Sequence, residues 1–216
     1  APVGTFVSAA GASVATAAPL GSYVPIAGAS TTTLAPVGTY VAVVGASSAT
    51  PAPLGSYVSN VGATTATQAM PGTYVAVTGA SAATPAPVGT YQPNFGATSS
   101  LLAPVGTYIP VAGASSSSAA IPAAPGTYVP TAGASAATLA PAGSYVPSSG
   151  ATIVTLASPG TYIPVTGASS SSAALLATPG TYVPTSGASA ATLAPAGSYV
   201  ATSGASIVTP ASPGTY

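Results

Sequence analysis

The chain has 216 residues and contains no Lys, Arg, Asp, Glu, His, Cys or Trp, so its formal net charge at pH 7 is zero. We expect no enzyme activity, because no side chain titrates near neutral pH to act as acid or base, and none could activate a Ser or Thr nucleophile. We also expect no metal, no cofactor and no nucleic-acid partner, because those sites need carboxylates, imidazoles, thiolates or a set of Lys and Arg residues.

A 17-residue repeat organises the chain from its first residue to its last. Each repeat begins with Gly, then Thr or Ser, then an aromatic residue, and a second Gly follows seven residues later. The spacing is 17 residues except for two steps of 20, which run from Gly106 to Gly126 and from Gly160 to Gly180. We interpret residues 1–216 as one array of about twelve repeats.

Within the array, two blocks of three repeats are nearly copies of each other. Residues 109–162 and 163–216 are identical at 45 of 54 positions, which indicates a duplication. The extra three residues of the long repeats fall in and just beyond two serine-rich stretches, Ser115–Ser118 and Ser169–Ser172. We expect these stretches to form outward loops, where a partner could bind.

Each repeat is predicted to contain two short extended segments joined by two turns. The sequence Pro36-Val37-Gly38 favours the first turn, because Pro presets one turn angle and Gly accepts positive φ. The run Thr39–Val43 is rich in strand-forming residues, and Gly45 is predicted to make the second turn. Residues 46–50 then form the return segment. The following glycines are the predicted structural turns: Gly4, Gly11, Gly21, Gly28, Gly38, Gly45, Gly55, Gly62, Gly72 and Gly79.

The sequence therefore predicts an all-β fold. A helix is not expected, because a Pro or Gly falls every few residues and each would cost roughly 1–3 kcal/mol in a helix interior. A single 17-residue repeat has too few apolar side chains to offset the backbone entropy lost on ordering, about 1–2 kcal/mol per residue. We expect neighbouring repeats to stack into an elongated rod, as a β-solenoid or as stacked β-hairpins.

Prolines limit the first extended segment. Several lie four residues after the first Gly of their repeat, where each removes a hydrogen-bond donor, so we expect the first strand to end there. They are Pro110, Pro130, Pro147, Pro164 and Pro184.

Stacking would place equivalent residues in columns. Tyrosines are predicted to form a structural aromatic ladder of Tyr23, Tyr40, Tyr57, Tyr74, Tyr91, Tyr108, Tyr128, Tyr145, Tyr162, Tyr182 and Tyr199. Threonines are predicted to form a second column, able to bond hydroxyl to hydroxyl, that includes Thr16, Thr33, Thr50, Thr67 and Thr84. The sequence leaves open which column faces inward, because Tyr40 and Val41 lie on opposite sides of the same segment.

The segment Gly45–Tyr57 resembles the ephrin-receptor-like cysteine-rich repeat (GCC2/GCC3), whose motif is roughly G-A-x-x-C-x-x-C-P-x-G-T-Y. The two cysteine positions of the motif hold Ala49 and Ala52 here, so the chain is similar to a cysteine-less relative. The resemblance implies elongated extracellular modules built from small β-hairpins, in which stacking or lateral assembly replaces the disulfides. It recurs at Ala83 and Ala86, and at Ala137 and Ala140. The chain is also similar in style to repetitive bacterial surface and fibre proteins.

These observations favour a structural fibre or stalk protein, outside the cell or on its surface, that self-associates into a homopolymer or filament. The alternative is an adhesion module that binds glycan or ice through the tyrosine or threonine column. Ser and Thr hydroxyls are candidate positions for O-glycans. A glycan-binding or ice-affinity measurement on the repeats would separate the two functions.

Targeting signals are not expected within this segment. Pro and Gly interrupt every apolar stretch, although the mean hydropathy is positive at +0.61. We therefore expect neither a signal peptide nor a transmembrane helix here. The chain begins and stops inside a repeat, and we expect it to be part of a longer polypeptide.

The lack of side chains that titrate near neutral pH gives the first testable prediction. The chain has no Asp, Glu, His, Cys, Lys or Arg, so it lacks every side chain that ordinarily titrates between about pH 4 and pH 9 and would link stability to pH there. We expect the melting temperature, measured by circular dichroism, to be nearly constant over that range. A shift of many degrees within it would contradict the prediction.

Overall fold

The computed structural model describes residues 1–212 and Gly214. Over these residues the chain is all-β: it has no α-helix, and consecutive strands pair as twelve two-stranded antiparallel hairpins. The all-β prediction is confirmed. The strands are Thr5–Phe6, Thr16–Ala17, Ser22–Tyr23, Thr33–Leu34, Thr39–Tyr40, Thr50–Pro51, Ser56–Tyr57, Thr67–Gln68, Thr73–Tyr74, Thr84–Pro85, Thr90–Tyr91, Leu101–Leu102, Thr107–Tyr108, Ile121–Pro122, Thr127–Tyr128, Thr138–Leu139, Ser144–Tyr145, Thr155–Leu156, Thr161–Tyr162, Leu175–Leu176, Thr181–Tyr182, Thr192–Leu193, Ser198–Tyr199 and Thr209–Pro210, numbered β1 to β24 in chain order.

Each strand has only two residues, fewer than the sequence predicts. In a representative hairpin, β5 pairs with β6 so that Thr39 faces Pro51 and Tyr40 faces Thr50. The expected strand of residues 39–43 ends after Tyr40 because the next amide, that of Val41, bonds to a different repeat. Proline is tolerated inside β6 because every strand of a two-stranded sheet is an edge strand.

The two turns of the repeat are built on positive-φ glycines. Gly38 has φ 81° and Gly45 has φ 75°, values that residues with a β-carbon rarely adopt. In the first turn the Thr39 N–H and the Thr39 hydroxyl both donate to the Pro36 carbonyl, at 3.0 Å and 2.8 Å. These two hydrogen bonds to one carbonyl close the turn and position the start of β5.

Main-chain hydrogen bonds join each repeat to the next one. The Val41 N–H donates to the Ala63 carbonyl of the following repeat at 3.0 Å, and the Gly21 N–H of the preceding repeat donates to the Val41 carbonyl at 2.9 Å. Both backbone groups of this residue therefore leave its own hairpin. The hairpins are joined in series rather than standing as separate units.

A second set of bonds reaches two repeats along the chain. The Ala52 N–H donates to the Gly38 carbonyl of its own repeat at 2.8 Å. The Ala52 carbonyl accepts from the N–H of Gly79, which belongs to the repeat after next, also at 2.8 Å. Each repeat is thus bonded to its neighbours one and two positions away.

Most of the core consists of two sets of small apolar side chains, to which Ala114 and Ala168 are added. One set follows the tyrosine of each repeat: Val24, Val41, Val58, Val75, Ile109, Val129, Val146, Ile163, Val183 and Val200. The other follows the second strand: Ala18, Ala35, Ala52, Ala69, Ala86, Ala103, Ala123, Ala140, Ala157 and Ala177. The side facing inward, which the sequence left open, is therefore the Val41 side, and Tyr40 on the other side is only half-buried.

The chain divides into two compact units, Ala1–Leu101 with Val111–Ala119, and Leu102–Pro110 with Ala120–Tyr216. The second unit repeats the bonding pattern of the first. Its Val129 N–H donates to the Ala151 carbonyl at 2.9 Å, and its Ala140 carbonyl accepts from the Gly167 N–H at 2.7 Å. Among the described residues, no helix is long and apolar enough to span a membrane.

The two serine-rich stretches form short 3-10 turns, Ser117–Ala119 and Ser171–Ala173. In the second, the Ser170 hydroxyl accepts from the Ser172 N–H at 3.1 Å. The three extra residues are therefore ordered by serine side chains that satisfy nearby main-chain donors, and they leave the hairpin pairing on either side unchanged.

Candidate functional site

The first-turn glycines lie against a carbonyl of another repeat. A β-carbon added to Gly38 in ideal geometry would lie closer than 3.0 Å to the carbonyl oxygen of Gly79, which belongs to the repeat after next. Only a hydrogen atom fits there, and it points at that oxygen as in a Cα–H···O contact. The same approach occurs at Gly4, Gly21, Gly55, Gly72, Gly106, Gly126, Gly143 and Gly160.

The second-turn glycines are required for a different reason. A β-carbon on Gly45 would meet nothing closer than 3.8 Å, so its positive φ alone favours glycine. Some glycines of this set lie under a side chain from two repeats earlier: a β-carbon on Gly167 would lie 3.0 Å from Leu139 Cδ2. Of the ten turn glycines named from the sequence, Gly11, Gly28, Gly45, Gly62 and Gly79 belong to this second group, and all ten have positive φ.

The tyrosines of the predicted ladder are half-buried from Tyr23 to Tyr182, and Tyr199 is 46% exposed. Tyr145 packs against the buried residues Ala157, Ile163 and Ala168. The Tyr145 ring thus covers part of the core from outside, and direct stacking of one tyrosine ring on the next stays a prediction.

The predicted threonine column lies at the surface. Thr16, Thr33, Thr50, Thr67 and Thr84 are all exposed, and their hydroxyls form no hydrogen bond with one another. The expected hydroxyl-to-hydroxyl ladder is therefore not formed. Hydroxyls of the first strand bond instead to the carbonyl three residues earlier, as Thr39 does to Pro36 at 2.8 Å.

The surface is neutral and carries many apolar side chains. The loop after the first strand exposes pairs such as Val43 and Val44, which are 64% and 63% exposed. The second strand exposes Leu34 and Leu139, each 57% exposed. With no charged side chain on the chain, nothing interrupts these apolar positions except hydroxyls and a few amides.

Both glutamines of this sequence lie next to the loop that follows Gln92, a feature that sequence reasoning missed. The chain has two Gln residues, Gln68 and Gln92. Gln92 occupies the position that Val or Ile fills in other repeats and is 5% exposed. Its Nε2 donates to the Ser99 carbonyl, and its Oε1 accepts from the Asn94 N–H at 2.9 Å.

Gln68 reaches the same loop from two repeats earlier. Its Nε2 lies 3.5 Å from where a β-carbon of Gly96 would stand, and the Gly96 N–H donates to the Ala69 carbonyl at 2.8 Å. Phe95, next to Gly96, is 66% exposed. A search for residue types that depart from the repeat consensus would have found this cluster.

A polar cleft of about 350 Å³ opens in the loop between β7 and β8, the strand that contains Gln68. It is lined by residues 58–65 and Thr67, including Asn60. Its polar lining consists of hydroxyls, one amide and the main chain, so it offers hydrogen bonds without charge.

Neither the models of known protein families nor the curated proteins give a match to this chain. The resemblance of Gly45–Tyr57 to the cysteine-rich repeat therefore stays a prediction.

Proposed function

We propose that this chain is a structural protein without catalytic activity: a stretch of an extracellular fibre or stalk that self-associates. The observation that carries the proposal is the bonding of each repeat to the repeats one and two positions along. Such a pattern repeats without a natural limit, so length can grow by adding repeats while the contacts of each repeat stay the same.

The finer architecture we propose is an elongated rod in which the hairpins coil as a β-solenoid. Two features support it. The Val41 N–H and carbonyl bond to the following and the preceding repeat, the Ala52 carbonyl bonds to the repeat after next, and the buried side chains recur once per repeat in each unit. A fold of this kind has no fixed end and no enclosed site, which suits a spacer or shaft.

Self-association is supported by the surface. Chains with no net charge lack the mutual repulsion that keeps proteins apart, and exposed apolar side chains favour contact with another copy. O-glycans on the exposed Ser and Thr hydroxyls would supply the polar outer layer that charged residues give to other proteins. An extracellular position is proposed from the resemblance to cysteine-rich surface modules.

Sedimentation velocity over a concentration series, together with electron microscopy of the same samples, tests the proposal. We expect the chain to form larger, elongated species as concentration rises. Replacing both Val43 and Val77, each exposed by more than 60%, with Lys should weaken association, and added salt should restore it by screening the new charges.

The matched control is the double variant Val43→Thr and Val77→Thr, which removes the apolar side chains without adding charge. Circular dichroism should show the same spectrum for all three proteins, because both side chains are largely exposed. A chain that stays a compact monomer at every concentration would contradict the proposal.

A further inference from the structure

We propose that Gln68, Asn94 and Phe95 form a binding site for a neutral carbohydrate, held in place by the buried side chain of Gln92. This function goes beyond the structural role proposed above and does not depend on it. The Gln92 side chain bonds to the Asn94 main chain and the Gln68 amide lies beside Gly96, so both amides border the short segment that carries Asn94 and the exposed Phe95, all within one compact unit.

The backbone fixes how the two parts of the site meet. The bond from the Gly96 N–H to the Ala69 carbonyl ties the loop after β11 to the end of β8. In other repeats the residue equivalent to Gln68 is often Leu, as at Leu34 and Leu139, and that Leu covers the glycine two repeats along. Gln68 keeps this position but presents an exposed amide that accepts and donates hydrogen bonds.

Gln92 orders the loop that carries the other two residues. A buried amide is costly unless its hydrogen bonds are made, and here the two ends of the amide bond to Ser99 and to the Asn94 N–H. These bonds bridge the start and end of the loop at residues 92–99. The loop is therefore held in one conformation before any ligand arrives, which lowers the entropy lost on binding.

The chemistry of the site selects the ligand class. Phe95 offers an aromatic ring that is 66% exposed, and such a ring can stack on the C–H face of a sugar. The primary amides of Gln68 and Asn94 pair with hydroxyl groups as donors and acceptors. No Lys or Arg is present to bind a phosphate or a carboxylate, so the expected ligand is uncharged.

Titration of the full chain with neutral oligosaccharides, followed by protein and saccharide NMR signals, tests the proposal; the probes are maltose, cellobiose and N-acetylglucosamine oligomers. We expect shifts confined to residues near Gln68 and the loop at 92–99. Phe95→Ala should weaken binding by about tenfold or more, as loss of a central aromatic contact does. Gln68→Leu, which restores the residue of other repeats, should weaken binding and leave the fold intact.

The variant Gln92→Val tests whether Gln92 positions the binding loop or only stabilises the fold. Val is the consensus residue at this buried position, so the variant should melt at the same or a higher temperature. Its loop loses the two amide bonds, so its affinity for the saccharide should fall. A purely structural role for Gln92 would leave the affinity unchanged.

Ile153→Ala is the control, because Ile153 is highly exposed and lies in the other compact unit. Its saccharide affinity should equal that of the parent chain. The proposal is overturned if none of the neutral saccharides shifts these signals, or if Phe95→Ala binds as tightly as the parent.

Discussion

Gly38→Ala is expected to destabilise the chain far more than Gly45→Ala, although both glycines have nearly the same φ, 81° and 75°. Both variants place a β-carbon on a left-handed residue, which costs about 1–2 kcal/mol. Only the Gly38 β-carbon also collides with a main-chain carbonyl, that of Gly79, and overpacking of this kind adds about 1–3 kcal/mol. The free energy of unfolding should fall by about 2–5 kcal/mol for Gly38→Ala and by about 1–2 kcal/mol for Gly45→Ala.

Denaturant unfolding measures the total effect, and amide hydrogen exchange locates it. The Gly79 N–H, which bonds to the Ala52 carbonyl, should lose protection in Gly38→Ala because the two repeats must move apart. Gly180→Ala provides a second control: Gly180 is a first-turn glycine with φ 83°, and a β-carbon there would meet nothing within 4 Å. Equal losses of stability at Gly38 and Gly45 would show that the close approach between repeats is absent.

Much of this fold could be predicted from spacing alone. The 17-residue period, the turn glycines and the antiparallel pairing inside each repeat follow from local turn chemistry, which depends on residues a few positions apart. The prediction located both turns of the representative hairpin at Gly38 and Gly45. Its strands were too long because strand length depends on where the Val41 amide finds its partner, and that partner is in another repeat.

The contact between a repeat and the repeat after next could not be predicted from the sequence, for a related reason. Pattern analysis compares equivalent positions of adjacent repeats, whereas Gly38 meets Gly79, which is neither adjacent nor equivalent. The glycines of the two turns look alike in sequence. Only the structure shows that a neighbouring carbonyl excludes a side chain at the first, whereas positive φ alone disfavours one at the second. The Gln92 cluster was missed because averaging over repeats hides a residue that occurs once.

The core positions explain why so regular a sequence tolerates so few side-chain types. Val41 is 2% exposed and Ala52 is fully buried, so a larger side chain at either position has no open space to occupy. Surface positions such as Val43 carry no such constraint. Comparing a polar substitution at buried Val41 with the same substitution at exposed Val43 therefore measures how much the buried core contributes to stability.

Val41→Asp is expected to be strongly destabilising, whereas Val43→Asp should change stability by no more than about 0.5 kcal/mol. Val41 is 2% exposed and Val43 is 64% exposed, two residues apart in the same hairpin. The first variant loses the burial of a Val, about 1.5–3 kcal/mol, and must also bury a carboxyl group with no cation available in the chain. Burial raises the pKa of that carboxyl in the folded state above its ordinary value of about 3.9.

The sign of the pH dependence follows from that direction. The folded state of Val41→Asp holds its proton to higher pH than the unfolded state, so stability is greatest below about pH 4 and falls as pH rises towards the folded pKa, by up to about 1.4 kcal/mol per pH unit. The parent chain has no such group and should show a flat profile over the same range. Thermal melts of the three proteins from acid to neutral pH make the comparison, with Val43→Asp as the control for the added charge. A Val41→Asp variant that melts at the same temperature across this range would show that residue 41 is in contact with water, and the stacked core described here would be wrong.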